Sequence, residues 1–230
     1  MQKAIAIDGP AGAGKSTIAK LVAKRLRFEY LDTGAMYRAV AYHCLQQGID
    51  VWDEKKVVES LSKLHMEIRE NRIYLNGVDV SDFLRTQAVD HAVSPVSNYA
   101  AVREHLVSQQ RAIAEKTPCV LDGRDIGTVV LPQAALKFYL TATPEERARR
   151  RLNDAKSSEK RSFSEVLEDL VRRDENDKNR KNSPLRRAKD ALRIDSTDYT
   201  IEQVVEKMVK EAKRRGLGRF DSCGNRKESE

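Results

Sequence analysis

Short apolar runs alternate along the chain with longer segments whose apolar residues recur at helical spacing. The runs are short enough to be buried strands, and they cover residues 3–8, 28–31, 119–121, 136–140 and 191–194. After the first run, residues 16–26 place apolar side chains on one helical face, at Ile18, Leu21, Val22 and Leu26. Alternating strands and helices predict an α/β fold, a three-layer sandwich with a five-stranded parallel sheet.

Two stretches interrupt this alternation and predict insertions into the α/β core. Residues 53–99 combine an amphipathic helix with strand-like runs at residues 66–69, 72–75 and 78–80. Asn76-Gly77 indicates a tight turn before the last of these runs. Residues 153–162 are polar and serine-rich. This second stretch fits a mobile flap over an anionic ligand or a solvated connector equally well.

The composition adds an anionic partner to this picture. Over 230 residues the net charge is +7, and the pI of about 9.3 suits nucleotides or nucleic acid. Basic residues interleave with acidic ones and no aromatic-studded basic motif occurs, so we expect no nucleic-acid partner. The cysteines are few and widely spaced, which is typical of a reducing cytoplasm rather than of a disulfide framework or zinc site. No apolar run approaches the length of a membrane span, so we expect a cytoplasmic protein with no membrane partner.

Residues 9–17 read GPAGAGKST and fit G-x-x-x-x-G-K-S/T, the motif of phosphate-cradling loops in nucleotide-binding proteins. They lie between a predicted strand and a predicted helix, which is the context that the motif requires. Glycines let backbone N–H groups converge on phosphate oxygens, and the helix N-terminus adds partial positive charge. We expect Lys15 to reach the β- and γ-phosphates of ATP and the Ser16 hydroxyl to hold Mg²⁺. The predicted ATP site comprises Gly9, Pro10, Ala11, Gly12, Ala13, Gly14, Lys15, Ser16 and Thr17.

The segment DTGAMYR, residues 32–38, follows the second apolar run and leads into a predicted helix. Thr33 could cap this helix, which we expect to start near Ala35, and Arg38 could bind a phosphate or a carboxylate. A capped helix with a surface arginine explains the same residues equally well. The segment alone therefore leaves an anion site and an ordinary helix as alternatives.

The segment DGRDIG, residues 122–127, follows the third apolar run. An acid at the carboxyl end of a core strand is where a phosphate-loop enzyme supports its metal, so Asp122 is a candidate ligand of Mg²⁺. Arg124 and Asp125 would lie in the crevice where open α/β sheets bind their ligands. From these residues alone, a structural ion pair between Arg124 and Asp125 is an equally good interpretation.

Taken together and in this order, five segments strongly resemble the bacterial cytidylate kinases, the CMP kinase branch of the nucleoside monophosphate kinases. They are the phosphate loop, DTGAMYR, SPVSNYAAVR (residues 94–103), DGRDIG and RRDENDKNR (residues 172–180). The resemblance extends over residues 3–213. It implies direct in-line transfer of a phosphoryl group from ATP to CMP or dCMP with Mg²⁺, in pyrimidine nucleotide metabolism, by an enzyme that we expect to be a monomer.

The pattern and the resemblance together predict the organisation of the chain. The core would comprise residues 1–36, 117–147 and 163–215. Residues 37–116 would form the lobe that binds the nucleoside monophosphate, with the strand-like runs inserted in it. Residues 148–162 would form a short lid, and the weakly apolar residues 216–230 a disordered tail.

The resemblance also implies a role for each residue of the acceptor site. The base would be read by Ser94, Arg103 and Asp125, and the sugar would be contacted by Arg173 and Asp177. The acceptor phosphate would be held by Arg38, Arg124 and Arg180, while Thr33 and Tyr37 would line the site. The catalytic residues would be Lys15, Arg124 and Arg180. Considered without the resemblance, Arg103 would be an ordinary solvated helix residue.

The chemistry of cytosine agrees with this assignment of the base-reading residues. Cytosine presents an N4 amino donor where uracil presents an O4 acceptor, and a carboxylate accepts from the amino group. Asp125 would therefore bind cytosine and repel uracil, while Arg103 would donate to N3 or O2 of the ring.

Two other enzyme classes fit the sequence less well. A switch GTPase would need an N-K-x-D motif, which is not found, and the inserted runs and arginine-rich acceptor side argue against a small-metabolite kinase of the shikimate type.

Overall fold

A computed structural model describes residues 3–153 and 162–218 of the chain. The strands within these residues are β1 (Ala4–Asp8), β2 (Glu29–Asp32), β3 (Met66–Arg69), β4 (Arg72–Leu75), β5 (Val78–Asp79), β6 (Cys119–Gly123), β7 (Leu136–Thr141) and β8 (Leu192–Asp195). The helices are α1 (Lys15–Leu26), α2 (Thr33–Gln46), α3 (Glu54–Ser60), α4 (Gln87–Val96), α5 (Ala100–Lys116), α6 (Pro144–Leu152), α7 (Phe163–Asn179) and α8 (Ile201–Arg214). None of the helices in this part of the chain combines the length and apolar composition that a membrane crossing requires.

The main sheet has five strands in the order β2-β6-β1-β7-β8. All four neighbouring pairs are parallel. β1 and β6 are buried along their whole length, as expected for parallel strands that helices cover on both faces. The predicted α/β fold with a five-stranded parallel sheet is therefore confirmed.

Side chains of β1 point alternately into two apolar layers of the core. Ala4 and Ala6 belong to the layer that includes α2 and α5, whereas Ile5 and Ile7 belong to the layer that includes α1 and α8. A smaller cluster joins Ala11 of the phosphate loop to side chains of α6 and α7. The phosphate loop is therefore packed between the sheet and two helices from the second half of the chain.

The inserted stretch forms an antiparallel sheet of its own, in the order β3-β4-β5. The predicted Asn76-Gly77 pair forms its last turn, between β4 and β5. Both residues have left-handed backbone conformations, with φ of 49° and 84°. The predicted strand-like runs form β3, β4 and β5, and none of these strands joins the parallel sheet.

Two details differ from the sequence prediction. Asp32, not Thr33, caps α2, since its side chain accepts a hydrogen bond from the Ala35 N–H; Thr33 is already helical. The Thr33 hydroxyl instead donates to the Asp122 carbonyl oxygen at 2.7 Å. A π-helical turn, Ile126–Val130, follows β6 and was not predicted.

The predicted lid and tail fall partly beyond the described structure. Residues 154–161 of the lid at 148–162 and residues 219–230 of the tail at 216–230 lie outside the described residues.

Candidate active site

A crevice of about 750 Å³ lies at the carboxyl end of the parallel sheet. Residues of the phosphate loop, α2, α4, α5, the segment after β6, α6 and α7 line it. It brings together most of the predicted site residues: Ala11, Gly12, Gly14, Lys15, Ser16, Thr17, Thr33, Tyr37, Arg38, Ser94, Arg103, Asp122, Arg124, Asp125, Arg173, Asp177 and Arg180. Gly9, Pro10 and Ala13 do not line the crevice but are buried within the loop.

The phosphate loop curves tightly between β1 and α1. A Cβ atom on Gly9 would lie 1.9 Å from the Leu140 carbonyl oxygen, so only glycine fits there. Gly12 and Gly14 have left-handed φ angles of 74° and 83°, which L side chains rarely adopt. This backbone brings the loop to the N-terminus of α1, where unpaired N–H groups favour an anion.

Lys15 begins α1 and is only 5% exposed. Its Nζ donates a hydrogen bond to the Pro10 carbonyl oxygen at 2.7 Å, so the side chain folds back over the loop. Burial lowers the pKa of Lys15 to about 7, and the positive charge of Arg124 adds to this effect. A phosphate would favour the charged form again, because an opposite charge raises the pKa of an amine.

Asp122 connects the loop to β2. Its carboxylate accepts hydrogen bonds from the Ser16 hydroxyl and the Tyr30 hydroxyl, both at 2.8 Å. Burial raises the pKa of Asp122 to about 6, and the negative charge of Asp32 adds to the shift. A hydroxyl and carboxylate oxygens are hard ligands, so this group fits Mg²⁺. Tyr30 was not among the predicted residues.

The opposite side of the crevice is built around the buried carboxylate of Asp125. Arg103 of α5 contacts it through Nη2 at 2.5 Å, and Nη2 of Arg180 lies 3.6 Å from its other oxygen. The Arg103 guanidinium also lies over the Tyr37 ring, 5.1 Å from its centroid. Arg103 is therefore a buried member of a charge cluster, and the prediction of a solvated residue is wrong.

Arg124 does not pair with its neighbour Asp125. Its Nε donates to the Asp177 carboxylate on α7 at 2.7 Å, and Nη1 of Arg180 lies 3.7 Å from the same carboxylate. Burial would raise the pKa of Asp177, but the positive charge and hydrogen bond of Arg124 outweigh it and hold the pKa below its usual value. The Arg124–Asp125 pair considered from the sequence is thus replaced by pairs with two other elements.

Arg38 lies at the edge of this cluster, where its Nε is 3.4 Å from the Asp90 carboxylate. Arg151 of α6 contacts the other oxygen of Asp90 at 3.0 Å. Arg173 pairs with Asp169 on its own helix at 3.2 Å, and Ser94 is exposed on α4. The surface-arginine alternative does not describe Arg38, whose side chain is mostly buried.

Some buried polar atoms in the crevice lack a hydrogen-bond partner among the described residues. They are the Tyr37 hydroxyl, Nε of Arg103 and Nη2 of Arg180. Burial raises the pKa of Tyr37 to about 12, so its hydroxyl stays protonated. Buried groups of this kind normally have partners in the working state of a protein. They point to a polar ligand between Tyr37, Arg103 and Arg180.

Asp8 is a further residue that the sequence did not single out. Its carboxylate accepts hydrogen bonds from the N–H groups of Ile126 and Gly127, both at 2.7 Å. Burial raises its pKa to about 6 although both hydrogen bonds oppose the shift. Asp8 therefore joins the end of β1 to the turn that carries Asp125.

A family model and the most similar curated relatives agree on one family. A family model described as cytidylate kinase matches residues 5–214, which include every segment that lines the crevice. The cytidylate kinase of Clostridioides difficile strain 630 is 50% identical over 206 residues, covering 89% of this chain and 95% of that protein. The cytidylate kinase of Halalkalibacterium halodurans is 50% identical over 216 residues, covering 92% and 97% respectively. A solved structure of an uncharacterized protein from Eubacterium ventriosum covers 93% of this chain and 99% of its own, with a TM-score of 0.52 and 13% identity, and shows the fold alone.

Proposed function

The chain belongs to the cytidylate kinase family, and from this premise we propose that it transfers the γ-phosphoryl group of ATP to CMP. The products are ADP and CDP, and dCMP gives dCDP in the same way. The observation that carries the proposal is the carboxylate of Asp125, buried between two arginines at the acceptor side of the crevice. A carboxylate accepts from the N4 amino group of cytosine and repels the O4 oxygen of uracil.

The acceptor nucleotide is held by residues from separate elements. Arg103 donates to N3 or O2 of the cytosine ring while Asp125 accepts from N4, and Ser94 contacts the same edge. Arg173 and Asp177 contact the sugar, and Thr33 and Tyr37 line the pocket. The acceptor phosphate is held by Arg38, Arg124 and Arg180, whose planar guanidinium groups suit phosphate oxygens.

The donor nucleotide is held by the phosphate loop. Residues 9–17 bind the phosphates of ATP through the loop's backbone N–H groups, apart from Pro10, which has none, and Ala11, whose N–H donates to Asp174. The Lys15 ammonium contacts the β- and γ-phosphates. Lys15, Arg124 and Arg180 are the catalytic residues, because they stabilise the charge on the group in transfer. No general base is required, since the attacking CMP phosphate oxygen is already anionic.

Mg²⁺ is the proposed cofactor. Ser16 would hold it, and Asp122, which accepts the Ser16 hydrogen bond, is the second candidate ligand. Bound there, the ion would neutralise negative charge on the donor phosphates. We expect chelation by EDTA to abolish turnover and excess Mg²⁺ to restore it. Persistent turnover in EDTA would remove the ion from the proposal.

Residues 37–116 act in this proposal as the lobe that binds CMP, and residues 148–162 as the lid. The remaining described residues form the core, apart from the tail. The cytoplasmic location and the monomeric state stay predictions.

The proposal is tested with a panel of acceptors. ADP release is followed in a coupled assay with ATP and CMP, dCMP, UMP, AMP or shikimate. CMP and dCMP should give the highest kcat/KM, and UMP should be a poor substrate. If no acceptor raises turnover above the background hydrolysis of ATP, the kinase assignment fails, and preference for shikimate would indicate a metabolite kinase instead.

A further inference from the structure

A buried ion pair between two helices that follow β7 contacts the phosphate loop. Arg147 lies on α6 and Asp174 on α7, with Nη2 of the arginine 2.7 Å from Oδ2 of the aspartate. Their side chains are only 4% and 8% exposed. Neither residue lines the crevice, so neither is placed to contact a nucleotide directly.

The pair binds both backbone polar groups of one loop residue. Nη1 of Arg147 donates to the Ala11 carbonyl oxygen at 2.8 Å, and the Ala11 N–H donates to Oδ1 of Asp174 at 3.3 Å. Nε of Arg147 also donates to the Ala142 carbonyl oxygen at 3.1 Å. Buried backbone groups need partners, and here two side chains supply them where regular secondary structure cannot.

Packing next to this contact leaves the loop little freedom. A Cβ atom on Gly12 would lie 3.2 Å from the Arg147 Cβ and 3.5 Å from Leu170. Ala11 packs in the apolar cluster of α6 and α7, and Gly12 has a left-handed φ of 74°. The ion pair and the cluster thus fix the loop at the point where its backbone reverses.

The same helices carry side chains of the crevice. Arg147 is one helical turn before Arg151, and Asp174 follows Arg173 and precedes Asp177 by three residues. Because these helices contact the donor loop through Ala11 and also carry acceptor-side residues, KM for CMP reports whether a substitution has disturbed the helices themselves.

We propose that Arg147 and Asp174 are positioning residues that hold the Ala11–Gly12 section of the phosphate loop in its ATP-binding conformation. The inference rests on the proposed function only in that this loop binds ATP. An ion pair serving stability alone would not need to bind the N–H and the carbonyl of the same loop residue. Such a pair is often replaceable by apolar residues without loss of stability.

The test uses the full-length protein and the variants Arg147→Lys and Asp174→Asn. Lysine keeps the charge but cannot donate in three directions from a planar group, and asparagine keeps one acceptor oxygen without the charge. ATP binding is measured by calorimetry without CMP, and KM for each substrate by the coupled assay. We expect Kd and KM for ATP to rise about tenfold or more while KM for CMP changes less than about twofold.

Arg215→Lys is the matched control. Arg215 of the C-terminal region also contacts a carboxylate, Glu211, at 2.8 Å and a backbone carbonyl, that of Ala135, at 3.4 Å. It lies outside the crevice lining, so its substitution should leave both nucleotide constants unchanged.

The double variant R147M/D174L separates positioning from stability. Apolar replacement of a buried pair commonly preserves folding, yet it leaves the Ala11 backbone groups without partners. We expect the variant to keep a cooperative thermal transition, at a lower Tm because buried backbone groups of Ala11 and Ala142 lose their partners, and to lose ATP binding to the same extent. Equal changes in the constants for ATP and CMP, unchanged ATP constants with a lower Tm, or failure of every variant to fold would each overturn the proposal. Absence of CMP phosphorylation by the wild type would contradict the proposed function. The ATP titration would still test the positioning role of Arg147 and Asp174.

Discussion

The donor side of the crevice, which we propose to bind ATP, and the acceptor side, which we propose to bind CMP, are built in different ways. The donor side is a run of consecutive residues whose backbone shape is set by glycines with unusual φ angles. The acceptor side is a set of charged side chains from α2, α4, α5, the segment after β6 and α7. A backbone cradle is recognisable as a motif, whereas a charge cluster exists only after the fold has brought its members together.

The two sides also differ in how their cations are held. Lys15 donates to a backbone carbonyl of its own loop. Arg103 and Arg124 are held by carboxylates, those of Asp125 and Asp177. A ligand on the acceptor side would therefore share these arginines with carboxylates of the protein, whereas on the donor side Lys15 would share its ammonium group with one backbone carbonyl. Substitutions on the two sides should consequently affect different kinetic constants.

Lys15→Ala should have the largest effect and should act on kcat. It removes the charge that we propose to contact the group in transfer, and the expected loss is about 10³-fold. Single-turnover kinetics at saturating ATP and CMP measure it. Lys24→Ala, at an exposed site of the same helix, is the control and should be silent. Unchanged turnover of the Lys15 variant would exclude this lysine from the mechanism.

Asp125→Ala should lower kcat/KM for CMP by about 10²-fold, with KM for ATP changed less than about twofold. Its loss leaves Arg103 and Arg180 buried without their shared counter-charge. It also removes the acceptor that we propose for the cytosine amino group.

Asp125→Asn sharpens the same prediction. An amide can accept from the N4 amino group or donate to the O4 oxygen, so the preference for CMP over UMP should narrow. If either variant weakened ATP and CMP equally, Asp125 would have a structural role, and the division into two sides would not hold there.

The extent to which the sequence predicts this site follows the same division. The phosphate loop and the five core strands were predictable, because a contiguous motif and short apolar runs carry the information locally. The burial of Arg103 was not, since its partner Asp125 lies 22 residues away and an isolated helical arginine is usually solvated. Asp8 bonds to an N–H group 118 residues away, and no local pattern marks such an acid.

Asp8→Asn should have an effect of intermediate size. The effect should be on the constants for CMP rather than on those for ATP, although Asp8 directly precedes the phosphate loop. The backbone of Asp8 is fixed by strand pairing on both sides, so Gly9 keeps its place. Asparagine has one acceptor oxygen, and its amide group would oppose the second of the two N–H donors of the turn. We expect kcat/KM for CMP to fall about tenfold. A larger rise in KM for ATP than for CMP would assign Asp8 to the donor side instead.

Ser94→Ala tests the edge of the acceptor side and should have the smallest effect. Ser94 is exposed, so the substitution leaves no buried group unpaired. It removes only the single hydrogen bond that we propose to the base. KM for CMP should rise about fivefold with kcat unchanged. The control is Ser62→Ala, because the Ser62 hydroxyl donates to the Glu59 carbonyl of its own segment, outside the crevice. A loss in kcat rather than KM would mean that Ser94 acts in the transition state, and the base-reading role would then have to be reassigned among Arg103 and Asp125.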